Sequence, residues 1–221
     1  TSGRIYKFFH QKNPVADLSL MENGFDDPEA IIRHSNAWYF RQFLQNLTPS
    51  NLTEREKYSI IRICELNFLG RHPTPIRLRA MWVLQTLNKT ISKSWLSDPD
   101  EHIRAWVIRL MMDDQPIDTL FGPREKELYT IKPELVQKLV QQAVTDESGL
   151  VRLTLASSLQ RVPVESRGEL AKALAFHSED RNDHNLPLVV WAGITPLVEL
   201  DPEKVLDVAK TTEWSNLRTW I

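Results

Sequence analysis

The chain has 221 residues, 42% of them hydrophobic and 25% charged, the balance of an ordinary soluble globular protein. Its 27 Lys and Arg against 29 Asp and Glu leave a formal charge of −2, which argues against a strongly basic nucleic-acid binder and a polybasic membrane-surface protein. The best apolar run, Leu186 to Ile194, is far short of the roughly 18 residues a membrane span needs, and the single Cys64 excludes an internal disulfide, a cysteine zinc site and a CxxCH haem attachment in this sequence.

Taken in chain order, the sequence opens with the one clear alternating stretch, Gly3-Arg4-Ile5-Tyr6-Lys7-Phe8-Phe9. Residues 1–26 read as an N-terminal segment and 27–221 as a helical repeat domain. Helices are predicted to start near 28, 36, 53, 75, 91, 101, 133, 149, 166, 186 and 202. Asp27-Pro28, Asp98-Pro99 and Asp201-Pro202 each put a carboxylate that can accept first-turn N–H groups ahead of a proline that loses no helical hydrogen bond. Thr53 with Glu56 and Ser166 with Glu169 have capping-box spacing, and Pro73, Pro75, Pro133 and Pro163 punctuate the intervals. Ile103, Trp106, Val107, Leu110 and Met111 predict one helical stripe, and Leu135, Val136, Leu139, Val140, Ala143 and Val144 another. The chain reads on to Leu217-Arg218-Thr219-Trp220-Ile221 in the middle of an amphipathic pattern, as a piece cut from a longer protein would.

An apolar–Arg pair recurs as Phe40-Arg41, Leu78-Arg79, Ile103-Arg104, Val151-Arg152 and Leu217-Arg218, with Leu186-Pro187 in an equivalent place. The second residues lie 38, 25, 48, 35 and 31 positions apart, about 35 on average, the period of divergent two-helix solenoid repeats. The fold class read from this is all-α, an irregular α-solenoid of antiparallel helix pairs. Residues 113–131, centred on Phe121-Gly122-Pro123, form an insertion that falls on a rim or in a tolerated loop. The arginines Arg41, Arg79, Arg104, Arg152 and Arg218 are placed to form a ladder, paired with Asp or Glu of the neighbouring repeat or, less often, open to an anion. Arg41, Arg79, Arg104, Arg152 and Phe121 are therefore the candidate interaction-surface residues.

Catalytic signals are absent: no GxSxG, Walker loop, dinucleotide fingerprint or HExxH occurs. Cys64 lies among Ile60, Ile61, Ile63 and Leu66 and reads as a buried structural thiol. The densest donor cluster is His177 to Asn185, where His177, Asp180, Asp183 and His184 are the candidate metal ligands. The competing reading is a turn in which Asp183 or Asn185 caps the helix starting near Leu186. Trp38, Trp82, Trp106 and Trp191 lie on repeat helices, where large aromatics fill space between layers.

Asp100-Glu101-His102-Ile103-Arg104, and nearly Glu147-Ser148-Gly149-Leu150-Val151-Arg152, resemble HEAT-like repeats. Gly3-Arg4-Ile5-Tyr6 resembles the last strand of a glucose/sorbosone-dehydrogenase-like β-propeller, and Asn36-Ala37-Trp38-Tyr39-Phe40-Arg41-Gln42 the HEAT repeat that follows it. Asp183-His184-Asn185-Leu186-Pro187-Leu188-Val189-Val190-Trp191 is similar to a late repeat of the same multidomain proteins of planctomycetes and related bacteria. The resemblance implies the central solenoid of a membrane-associated dehydrogenase, exported to the periplasm, with haem c on a further domain and no cofactor in these residues.

The function expected is a non-catalytic scaffold and protein-interaction module, a spacer between flanking domains or a binder of another protein. The alternative is a metal- or ligand-binding solenoid that contributes directly to the parent enzyme's activity. Nucleic acid is not an expected partner, no transmembrane segment is expected, and a cytoplasmic location stays open beside the periplasmic one.

Overall fold

A computed structural model describes residues 27–118 and 131–221. They form α1 (Pro28–Arg33), α2 (Ala37–Asn46), α3 (Glu54–Leu69), α4 (Thr74–Thr86), α5 (Glu101–Met112), α6 (Pro133–Thr145), α7 (Gly149–Ser158), α8 (Arg167–Leu174), α9 (Leu186–Ile194), α10 (Leu197–Leu200), α11 (Pro202–Thr211) and α12 (Ser215–Trp220). Short 3₁₀ turns at Lys93–Ser97 and Ser178–Asn182 stand where the sequence crosses between helices. The described residues contain no strand, and none of their helices is long and apolar enough to cross a membrane. The expectation for residues 1–26, and for Phe121, lies outside the described residues.

Helix starts follow from local chemistry. Asp27 and Asp201 accept from Ala30 N and Lys204 N ahead of Pro28 and Pro202. Thr53 and Glu56 close a reciprocal capping box at α3. Two expected caps differ. Asp100, not Asp98, caps α5, accepting from His102 N, and Ser166 has helical backbone angles with no side-chain cap, so its spacing to Glu169 forms no box. At the far end of α4, Asn88 takes φ 59° and closes a Schellman turn, with Lys89 N donating to Leu84 O and Asn88 N to Gln85 O, both at 2.9 Å.

The helices sort into two layers. In one, α4 packs on α5, α5 on α7, α7 on α9 and α9 on α12; in the other, α6 packs on α8 and α8 on α11. Buried residues of one layer, such as Val107, Leu155 and Ile194, meet Leu139, Leu174 and Val208 of the other within one apolar cluster. Burying each such side chain contributes about 1.5–3 kcal/mol. The predicted stripes are narrower than expected. On α5 the core takes Ile103, Val107, Ile108 and Met112, leaving Trp106 and Leu110 half-exposed; on α6 Val144 is turned to solvent.

Candidate functional site

The first layer carries a local frame that organises its polar groups. Three residues before the start of α5, α7, α9 and α12 stand Asp98, Asp146, Asp183 and Thr212. Each side chain accepts the N–H two residues on, from Asp100 (3.0 Å), Ser148 (2.9 Å), Asn185 (2.8 Å) and Trp214 (3.1 Å). The fourth residue of α4, α5, α7 and α12 is an arginine: Arg77, Arg104, Arg152 and Arg218. In α9 the same place holds Val189, so the Leu186-Pro187 equivalence drawn from sequence, with Pro187 in place of the Arg, is two positions early.

Three of these arginines reach forward to the next unit. Arg77 Nη1 and Nη2 donate to Asp98 at 3.1 and 2.5 Å. Arg104 Nε and Nη2 donate to Asp146, both at 2.8 Å, while its Nη1 holds the Asp98 carbonyl at 2.8 Å. Arg152 makes the same bidentate contact with Asp180, and its Nη1 holds the Asp146 carbonyl at 2.8 Å. Arg104 and Arg152 thus each join the turn before their own helix to a carboxylate of the following unit, while Arg77 Nε holds the Phe68 carbonyl in the last turn of α3 at 2.9 Å, the fork geometry that suits arginine. Burial would raise the Asp146 pKa, but the Arg104 hydrogen bond, the Ser148 N–H and Gln142 outweigh it and hold the carboxyl below the usual range. The Asp146 bond raises the pKa of Arg104 despite burial.

The expected ladder is realised at Arg104 and Arg152 and corrected at two positions. Arg79 turns back to the carbonyls of Ile32 (2.9 Å) and His34 (2.7 Å), because it stands two residues past the frame position that Arg77 fills. Arg41 stands one past it and is exposed. Sequence reading missed Arg77, Arg161 and Arg167. Arg161 Nη1 closes the end of α5 on the carbonyls of Met112, Asp113 and Gln115. Arg167, 1% exposed, pairs with Asp118 at 2.9 Å and donates to Val162 O and Gly193 O. The spacing of an Asp three residues before a helix and an Arg six after that Asp was the signal available for the ladder.

The donor cluster resolves into a turn. Asp180 is held by Arg152; Asp183 accepts from Asn185 N and Leu186 N in the turn ahead of α9, whose N-cap residue Asn185 makes no side-chain capping bond. His177 Nε2 lies 2.7 Å from the Ala143 carbonyl and Nδ1 3.1 Å from Glu179, and His184 is exposed. Among the described residues no three His, Cys, Asp or Glu side chains converge on a point that could hold a metal ion. Burial pushes the Cys64 thiol up to about 12, as expected of a structural cysteine.

An aromatic run links α2, α4 and α5. Phe40, Trp82 and Trp106 follow one another at ring separations of 6.1 and 4.8 Å, with Arg79 over Phe40 and Arg109 over Trp106 at either end. Leu44, Trp82, Trp106 and Leu110 line an apolar groove of about 380 Å³. A second groove, about 390 Å³, continues from Trp106 past Arg109, Leu153 and Arg161.

Compared with protein-family models, with curated proteins and with solved structures, the chain matches none.

Proposed function

We propose that the chain is a non-catalytic scaffold and protein-interaction module, an irregular α-solenoid of HEAT-like helix pairs. The observation that carries this reading is the succession of α4, α5, α7, α9 and α12 in one layer, the first links of it joined by repeated Arg–Asp pairs. In such a stack each unit touches its neighbours along one axis and leaves a long surface for a partner. The grooves on both sides of Trp106 supply that surface with apolar walls and guanidinium edges. The charged groups nearest one another are committed to pairs, which favours holding over reacting.

The resemblance to propeller–HEAT–cytochrome proteins supports a spacer role inside a larger haem-containing dehydrogenase of the periplasm. Small-angle X-ray scattering tests the stack: an elongated distance distribution supports it, and a profile close to the radius of about 17 Å of a compact chain of this length removes it. A covalent-haem stain on the native polypeptide tests the spacer role; a small, haem-negative product removes the dehydrogenase context.

A further inference from the structure

The two grooves beside Trp106 share that indole as a common wall, so they form one continuous depression across α2, α4, α5 and α7. Its first part, about 380 Å³, is apolar along Leu44, Trp82, Trp106 and Leu110, with the Thr86 hydroxyl turned back to the Trp82 carbonyl. Its second part, about 390 Å³, is charged: Arg109 and Arg161 stand on it against one carboxylate, Asp113. None of these three side chains makes an ion pair among the described residues. The second part therefore carries one positive charge in surplus. The hydroxyls beside it are already engaged, since Thr154, Ser157 and Ser158 donate to the carbonyls of Leu150, Leu153 and Thr154. The guanidiniums are thus its open donors, and both are held in place. Arg109 lies over the Trp106 ring, 5.1 Å from its centroid, and Arg161 Nη1 is fixed by the carbonyls of Met112, Asp113 and Gln115.

We infer that this depression binds a linear peptide segment of a partner protein, which sets a large apolar side chain between Trp82 and Leu110 and an Asp or Glu carboxylate on Arg109. Charge and shape name the occupant. The surplus positive charge takes an anion and repels a basic segment. The adjoining apolar floor takes a hydrophobic group a few residues away and offers nothing to a phosphate backbone. A guanidinium already stacked on an indole loses little freedom when a carboxylate arrives, so the fork is ready before binding. The inference rests on the interaction-module reading above and adds the chemistry of the partner.

The test selects random peptides displayed on phage against the full chain and measures the recovered peptides by isothermal titration. They are expected to carry an Asp or Glu within a few residues of Leu, Phe or Trp. Exchanging that acid for its amide should weaken binding about tenfold, and Arg109→Ala should do the same. The two changes together should lose little more than either alone. Lys138→Ala, at an exposed position on α6 in the other layer, should leave the affinity within about twofold. Recovery of no peptide, peptides without an acidic residue, additive changes, or undiminished binding by Arg109→Ala would overturn the inference. So would self-association of the chain that Arg109→Glu abolishes, since the occupant would then be a second copy. Peptides that bind without regard to Arg109 remove this site and leave the interaction-module reading standing. No recovered peptide beside a compact scattering profile removes both.

Discussion

Arg104 and Asp146 stand 42 residues apart and meet through two parallel hydrogen bonds of 2.8 Å, with the Asp146 side chain 1% exposed and Arg104 15%. The same guanidinium holds the Asp98 carbonyl. One side chain therefore fixes the turn before its own helix and the position of the next, which gives irregular units a common spacing despite unequal loops.

Breaking such a pair leaves a buried charge without its partner. Arg152→Ala strands Asp180, and Asp146→Asn strands Arg104; each is expected to cost about 3 kcal/mol. Arg41→Ala, at an exposed position, should fall within about 0.5 kcal/mol. Urea unfolding followed by far-ultraviolet circular dichroism measures all three. Equal losses at Arg41 and Arg152 would remove the ladder as a stabilising device.

Asp146 and Cys64 each give a pH dependence. The folded Asp146 carboxyl sits below its unfolded value near 3.9, so its contribution is present above that pH and is lost as pH falls through the folded value. Stability should decline below about pH 4, and less steeply in Asp146→Asn. Cys64 is raised to about 12, so its contribution is complete below the unfolded thiol value near 8.5 and is lost as pH rises toward 12. A thiol reagent at pH 8 should label Cys64 only at the rate of unfolding.

Two tryptophans separate burial from hydrogen bonding. Trp214 is fully buried and donates through Nε1 to His177 O at 2.8 Å. Trp82 Nε1 is buried with no partner. Trp214→Phe removes the indole donor from the His177 carbonyl, which keeps only the Asp180 N–H at 3.2 Å, and should cost about 1 kcal/mol beyond the lost volume. Trp82→Phe should cost clearly less, because it removes an unsatisfied donor. The difference in urea midpoints at equal m-values decides the matter.

Gly193 marks a close approach between α9 and the turn after α7. A Cβ there would stand 2.6 Å from Leu159 Cβ and 2.8 Å from its Cδ1. Gly193→Ala is expected to lower stability by about 1–3 kcal/mol, even though alanine is the better helix former. Asn88→Gly should be neutral or better, and Asn88→Val worse, since φ 59° admits glycine freely and penalises a branched side chain. Thermal unfolding of the three variants checks both positions.

Helix content and most helix starts were legible because they depend on neighbours within four residues. Asp27-Pro28, Thr53 with Glu56, and Asp201-Pro202 cap where their spacing says they should. The arginine pattern was legible only in part. Arg104 and Arg152 follow an apolar residue and pair as anticipated, but the same rule selects Arg79, whereas helix start fixes the angle of the guanidinium and selects Arg77. The His177–Asn185 cluster shows the converse. Its composition offers ligands, and only the approach of Arg152 and the Ala143 carbonyl reveals that Asp180 and His177 are already engaged.

By itself, the sequence determined that the described chain is helical and where its helices begin, since caps, prolines and 3.6-residue periodicity act locally. Tertiary structure decided which side of each helix faces the core. On α5, Trp106 and Leu110 share the apolar stripe of Ile103 and Val107 in sequence, yet packing against α7 and the second layer leaves them on a groove. It also decided which carboxylate each arginine meets, because those partners lie 21 to 42 residues away and only the stacking of one unit on the next brings them within hydrogen-bonding reach.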